Sequence, residues 1–519
     1  MKLSLGILWG GLILLYVQVI YFDPLNYDDP SFLQHHPAAS LSLRSFSFWQ
    51  TLFGSYTVNL WHPLTDLSHQ LLYRLSTKPA LHLSFNVLLH GITSSLWLIL
   101  FRKFTHSPIL ALLLTLLFAW HPVTVESTAW ISGRKDLLCI LFLTLCVSRY
   151  HKSHTLNLPP ISPLLIIWAL CAFLAKPIAI TLPFLLLSLD YWPHRSEKKL
   201  RQLILEKWPF WLLSLCSIFI TIYGQSIGTQ ATSDGRSLFI RLAESFWAFQ
   251  HGFLNCLIPS KLHLAYSNPY QLGLFSFLTS LGLSLIIVFF LLWKRRSFPS
   301  LISGLFWFLM TIGPTLGLIR AGNNLTADRY CYLPLLGLLI AFAGIFTTQN
   351  RKRNLGLHVV LALCSSVFFI ATFQQISTWR NHEVLFRNVL NHQPKNLTAH
   401  IQLAELARIQ SKITQAEKHL AQALELAPNS PKAHIILGHL AFEKNNYEEA
   451  YRCFEIASRI RSREAWLQER LAASAHGSNN MAKARYHLTE ALRLSRPSDH
   501  SLELERKWRA LFPNSPFPH

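Results

Sequence analysis

The sequence predicts an all-α chain, a polytopic helical membrane domain followed by a helical-repeat α-solenoid. Three observations carry this. Hydrophobic residues make up 51% of the 519 residues and charged residues 14%, a balance that suits a multi-spanning membrane protein and excludes an ordinary soluble enzyme. The formal charge of +21 comes from lysines and arginines that fall in short clusters between apolar runs, the pattern of positive-inside loops and not of a nucleic-acid binder. From residue 397 the composition changes to Ala, Glu, Lys and Arg, with small residues recurring at a fixed period. The eight cysteines show no C-x-x-C pair and no zinc spacing, so they read as small buried hydrophobes.

Residues 4–22 are apolar between Lys2 and Asp23, long enough to span at about 1.5 Å per residue. No small-residue cleavage site precedes the next acids, so a retained first span with a cytoplasmic N-terminus is expected. Residues 23–83 form a long first external loop, polar, aromatic and His-rich, with room for amphipathic helices at the interface. Residues 85–101 then cross back to Arg102-Lys103, and 108–120 cross out to a loop holding His121, Glu126 and Gly133-Arg134-Lys135-Asp136. Residues 137–147 return to Arg149 and Lys152. Only Lys176-Pro177 separates the runs 163–175 and 178–189, which calls for a tight hairpin or a broken helix. Arg195, Lys198, Lys199, Arg201 and Lys207 follow as the strongest basic loop, and this fixes that side as cytoplasmic.

Residues 208–224 exit and 274–293 re-enter to Lys294-Arg295-Arg296. Between them, 238–258 is interrupted by Arg241, Glu244, Gln250 and His251 and is expected to lie at the interface or re-enter without net crossing. Residues 301–319 exit, 330–346 return to Arg351-Lys352-Arg353, and 355–373 exit again. The result is about eleven spans within residues 1–375 and an extracytoplasmic C-terminal part, joined by a connecting segment, 376–396.

In the last part Ala404, Gly438 and Ala472 stand 34 residues apart, as do Ala416, Ala450 and Ala484, and Ala423, Ala457 and Ala491. Small side chains at one register let paired helices pack closely, and a period of 34 is that of tetratricopeptide repeats. Residues 397–496 are therefore read as three such repeats. Pro428 closes the first, with Ser462 and Arg496 at the matching positions, and Trp508 and Leu511 belong to a capping helix in 497–519.

The topology collects Asp28 and Asp29, segment 61–69, the loop from His121 to Asp136, Lys176, and Arg320 with Asp328-Arg329 on one membrane face. Carboxylates beside hydrocarbon must be solvated, paired or used. A sugar transfer needs a base for the acceptor hydroxyl and cations for a phosphate leaving group. Asp28 or Asp29 suits the first task, and Arg329, Lys176 or Arg134 the second. The plainer readings are a hydrated loop for the acid pair, a juxtamembrane anchor for Arg329, and pairing of Glu126 and Asp136 with Arg134 and Lys135. His62, His69 and His121 have no single-helix ligand spacing, which favours structural roles over a metal.

The motifs Asn26-Tyr27-Asp28-Asp29-Pro30, Trp61-His62-Pro63-Leu64-Thr65, Asn86-Val87-Leu88-Leu89-His90, His121-Pro122 with Glu126-Ser127, and Gly133-Arg134-Lys135-Asp136-Leu137 occur in this order. Ala175-Lys176-Pro177, Asp190-Tyr191-Trp192-Pro193 and Asp328-Arg329-Tyr330 with Tyr332-Leu333-Pro334 complete the set. Together with the repeats, the chain resembles the transmembrane and tetratricopeptide-repeat-containing O-mannosyltransferases, in particular bacterial-type relatives. The resemblance implies a GT-C-like membrane glycosyltransferase that moves mannose or another hexose from a polyprenyl-phosphate donor. The acceptor is a hydroxyl of a protein or envelope molecule on the extracytoplasmic face, held by the repeats, and the host membrane is a bacterial inner membrane, or endoplasmic reticulum in a eukaryote. It makes an acid of the first external loop the base. Asp28 and Asp29 match that acidic pair, Glu126 and the 134–136 group match the second external loop, and Arg329 matches the phosphate contact. His62, His121, Asp136 and Tyr330 are carried as substrate-binding candidates. Three clear repeats are fewer than in many animal members.

The mechanism expected is an in-line displacement at the anomeric carbon. It needs no redox cofactor. Paired carboxylates can hold a divalent metal with the donor phosphate, although the sequence offers no complete ligand set. Two rival readings are a non-enzymatic membrane scaffold or receptor that uses its repeats to bind partners, and a lipid-linked-saccharide transporter or polymerase.

Overall fold

The computed structural model describes residues 1–58, 60–228, 238–266, 298–317, 325–347, 351–461, 464–495 and 499–512, with isolated positions between 278 and 293. Arg320, Lys294-Arg295-Arg296, Ser462, Arg496 and most of the expected run 274–293 lie outside the described residues. Among the described residues the structure is α-helices and short 3-10 turns, with one isolated bridge between Thr57 and Leu60. Two compact units are formed, Met1–Leu385 and Phe386–His519.

The first unit contains α1 (Lys2–Tyr16), α2 (Phe46–Gly54), α3 (Pro63–Leu75), α4 (Pro79–Thr105), α5 (Pro108–Ala119), α6 (Arg134–Thr155), α7 (Pro163–Ala175) and α8 (Leu182–Tyr191). It continues with α9 (Trp208–Gly228), α10 (Leu238–Leu257), α11 (Pro299–Ile312), α12 (Tyr332–Thr347) and α13 (Arg351–Ser377). Four helices among the described residues are long and apolar enough to cross a membrane: Lys2–Tyr21, Pro79–Thr105, Trp208–Ser226 and Leu355–Ser377. A fifth is added if Pro108–Ala119 and Pro122–Thr128, bent by 50°, count as one crossing. Several of the other apolar runs make shorter helices with proline at their ends: Pro163 and Pro299 open α7 and α11, Pro122 and Pro177 come just after α5 and α7, and Pro314 just after α11. These prolines lack the amide donor that would carry a helix through.

Contacts give the direction of five of these helices. α1 starts beside the cavity that His154 lines and ends where Asp23 donates its N–H to Arg380 O at 3.0 Å. α4 and α6 descend together. Asn86 and Arg134 meet near their N-terminal ends, and Phe104 of one packs edge-on to His151 of the other near their C-terminal ends. α7 returns from Leu165, near Cys146, to Lys176, near Cys139 and Asp136. α8 descends again to Asp190, which accepts from Tyr150. The Lys176-Pro177 joint is therefore a reversal, and of the two sequence readings the hairpin is the one formed. Pro177 forces the residue before it out of the helical region, and Lys176 is extended at φ −162, ψ 141.

The crossing of α11 and α12 depends on two glycines. A Cβ on Gly304 would lie 2.3 Å from Gly337 O and 2.4 Å from Ala341 N, and one on Gly337 2.6 Å from Gly304 O, so the backbones touch. Gly304→Ala is expected to push the helices apart at a cost of about 1–3 kcal/mol. This should appear as a lower melting temperature in detergent, whereas Gly10→Ala, with open space around its Cβ, should leave it unchanged.

In the second unit, three helix pairs repeat the same build: α14 (Leu397–Ile409) with α15 (Ile413–Leu426), α16 (Pro431–Glu443) with α17 (Tyr447–Ile460), and α18 (Ala465–Gly477) with α19 (Met481–Leu494). The small-residue columns are at the contacts. Ala404, Ala416, Ala423, Ala450, Ala457, Ala484 and Ala491 are buried, and a Cβ on Gly438 would meet the Phe454 ring at 2.8 Å. A further column appears at the turns, where Ser411, Asn445 and Asn479 all take positive φ, 58, 61 and 59°. This left-handed conformation suits Asn. Trp508 of α20 (Asp499–Leu511) is buried with Leu504 and Phe512 against Ala484, Leu488 and Ala491.

Candidate active site

The first external loop begins where α1 ends, and Asp29 opens a single helical turn with Pro30 at its first positions. The two acids then part company. Asp29 is 1% exposed, and its Oδ2 accepts from Leu25 N at 2.9 Å and Oδ1 from Ser132 N at 3.1 Å. It ties the first loop to the loop ahead of α6. Asp28 is only partly buried and is the carboxylate acting most strongly on Lys135.

Burial pushes the Asp29 carboxyl up to about 7; the Leu25 and Ser132 amides pull the other way, and Asp28 adds to the rise. Between about pH 4, where the free carboxyl ionises, and about 7 the folded chain therefore holds a proton that the unfolded chain has lost. Stability should fall as pH rises through that window and level off above it. A melting-temperature series in detergent checks this, with Asp29→Asn expected to flatten the slope.

The loop from Trp130 to Asp136 is fixed by backbone approach and by α4. A Cβ on Gly133 would lie 2.3 Å from Ser127 O, so only glycine fits. Asn86 donates to Trp130 O at 2.7 Å and accepts from Arg134 Nε at 3.0 Å. Arg134 is fully buried, with further bonds to Ser68 O and His82 O. It holds the loop, and its donors face inward. Its neighbour Lys135 donates to Ser132 Oγ at 3.0 Å and lies over the Phe32 and Trp130 rings at 5.2 and 5.6 Å.

Two ion pairs complete the cluster. Asp136 pairs with Lys176, and Glu126 pairs with Arg329 through both the guanidinium and the Arg329 N–H, the latter at 2.9 Å. The sequence-based pairing of these acids with Arg134 and Lys135 is thus replaced by partners far away in the chain. The acid side chains are 5 and 1% exposed, while Lys176 keeps 13% and Arg329 11%. Burial works against the Arg329 charge, but Glu126 outweighs it and holds the guanidinium above its ordinary range. Tyr330 lies between the cations, its ring 5.1 Å from Arg329 and 6.0 Å from Lys176. Trp130 stands 5.5 Å from Arg329 and 6.3 Å from the Tyr27 ring.

Other expected contacts are part of the walls. His62 is buried, 3.3 Å from Asp66 and stacked on Phe32. Burial raises the Asp66 carboxyl, but His62 and His36 outweigh it and bring it down to about 2. His121 is buried with one ring nitrogen on Cys256 O and the other on Val123 N. Neither histidine reaches the partly exposed rim. The buried Asp328 accepts from Tyr266 at 2.6 Å. Among the described residues, no three His, Cys, Asp or Glu side chains are arranged to hold a metal ion. The sequence reading missed Lys135 and Trp130 as members of the cluster. Lys135 sits in the quoted Gly133-Arg134-Lys135-Asp136 motif, whereas nothing local distinguishes Trp130 from the other tryptophans.

Comparison with known proteins bears on both units. A family model described as tetratricopeptide repeat matches residues 407–468. A protein O-mannosyl-transferase of Caenorhabditis elegans is 23% identical over 78% of this chain and 60% of its own length. The human protein O-mannosyl-transferases TMTC1 and TMTC3 are 24% and 22% identical, over 64% and 82% of this chain and 44% and 51% of their own. The chain thus spans about half the length of the curated relatives it matches. These similarities extend over apolar helices as well as repeats: the chain is similar to these protein O-mannosyl-transferases, and it carries tetratricopeptide repeats.

Proposed function

We propose that the chain is a membrane glycosyltransferase of GT-C type. It moves a monosaccharide, mannose or another hexose, from a polyprenyl-phosphate donor to a hydroxyl of a protein or envelope acceptor on the extracytoplasmic face. The observation that carries this is the division of labour around Asp28: a partly exposed carboxylate beside Lys135, with two rim cations, Lys176 and Arg329, each backed by a buried acid. Asp28 takes the proton of the acceptor hydroxyl as its oxygen bonds to the anomeric carbon. The bond from that carbon to the phosphate oxygen breaks, and Arg329 and Lys176 receive the developing charge. Glu126 and Asp136 orient those cations, Arg134 acts by positioning the loop, and Tyr330 offers a face for the sugar.

The membrane arrangement in this reading is about eleven crossings with a cytoplasmic N-terminus and extracytoplasmic repeats, which present the protein acceptor. The directions of α1, α4, α6, α7 and α8 and the basic residues at one set of their ends support it. The test is transfer of labelled sugar from a polyprenyl-phosphate donor to protein in membranes containing the chain. Loss of product in Asp28→Asn is expected, and a wild-type rate would sink the assignment.

A further inference from the structure

The ends of α4 and α6 remote from Asp28 form a second polar cluster, around an open cavity of about 820 Å³. From Asn86 to Arg102 and from Asp136 to His154, each helix extends about 25 Å at 1.5 Å per residue. This approaches the roughly 30 Å of a bilayer core, so the cavity opens at the opposite membrane face. Its wall includes Arg102, Lys103, His106, His151, His154 and His194 and, among the described residues, no acidic one. Of the nearest carboxylates, Asp190 is engaged by Lys207 and Tyr150 and Glu206 by Lys198, while Glu197 is exposed outside the wall. The histidines are grouped. His194 stacks on His154 with centroids 3.9 Å apart and its Nε2 is 3.0 Å from His151 Nδ1, while its own Nδ1 is buried without a hydrogen-bond partner.

A concave wall with an arginine, a lysine and several imidazoles, and no carboxylate, has the donors and charge to hold an anion with several acceptor oxygens. We propose that this cavity binds a phosphate group, carried either by the headgroup of an anionic lipid in the adjoining leaflet or by a soluble phosphate. Ile99 and Met1 in the same wall give an apolar edge on which an acyl chain could lie.

The test uses the purified full chain in uncharged detergent, with dioctanoyl phosphatidylglycerol, dioctanoyl phosphatidylcholine and inorganic phosphate as probes. Phosphatidylglycerol is expected to bind roughly tenfold or more tighter than phosphatidylcholine, and the double variant Arg102→Gln, Lys103→Gln to lose that margin. Arg102→Lys with Lys103→Arg keeps the charge and should bind within about threefold of wild type, which separates lost charge from lost fold. Lys152→Gln removes an exposed cation at the same helix end, outside the cavity wall, and should change little. Displacement of the lipid by millimolar inorganic phosphate, or binding of that phosphate alone with the same sensitivity to variants, makes soluble phosphate the ligand; resistance makes it the lipid. Equal affinity for the two lipids without phosphate binding, or an equal loss in Lys152→Gln, overturns the proposal.

Discussion

Asp28→Asn should lower sugar transfer by about two to four orders of magnitude, the usual contribution of a general base, with little change in melting temperature. Asp29→Asn should behave in the opposite way. The Asp29 carboxylate accepts two backbone N–H groups, one on each oxygen, and an amide nitrogen cannot accept. One buried N–H would be left unsatisfied, at a cost of about 1–3 kcal/mol. Transfer by Asp29→Asn should therefore fall in proportion to the folded protein recovered, with a near-normal rate per folded molecule at low temperature. Thermal melts and transfer assays on the same preparations distinguish the two. If Asp29→Asn were stable yet inactive and Asp28→Asn active, the roles assigned to the pair would have to be exchanged.

The acid pair itself was legible in the sequence because two carboxylates next to an apolar run are conspicuous. Which of them is buried was not, since that depends on the amide of Ser132, 103 residues away. The same distinction runs through the site. Lys176 could be singled out because a cation between two apolar runs and ahead of a proline has few bland explanations, and Pro177 does extend it toward Asp136. The partner of Glu126 could not, because Arg329 lies 203 positions later and no local spacing encodes the contact. The nearer Arg134 and Lys135 were the natural guess. Arg134 instead turns inward to Asn86 and His82, one helical position from a lysine that stays in the cluster. In the repeat unit the packing of small residues was readable, because Ala404, Ala416 and Ala423 and their counterparts recur at 34 residues. His400 and His434 even make the same bond, to Pro394 O and Pro428 O. The lengths of the membrane helices were harder to read. Hydropathy marks an apolar run, while the helix often starts or stops at a proline near the run's edge, as at Pro163, Pro177 and Pro299.

The Glu126 and Arg329 pair gives the second large effect and separates structure from chemistry. Arg329→Met leaves the Glu126 carboxylate, 1% exposed, buried without its counter-charge, a loss of about 3–5 kcal/mol. Glu126→Gln leaves the guanidinium, which is closer to solvent, and should cost less. In the double variant Glu126→Gln, Arg329→Met no charge is stranded, so most of the stability lost in Arg329→Met should return. Sugar transfer should not return with it. If Arg329 stabilises the departing phosphate, its removal lowers transfer by about 10²–10³ in either background, and the stability-restored double variant stays as inactive as the single one. Glu126→Gln alone should retain more transfer, because the cation is still present although less firmly aimed. A double variant that folds and transfers sugar at close to the wild-type rate would reduce Arg329 to a structural partner of Glu126, and Lys176 with Lys135 would then be the remaining cations for the donor phosphate.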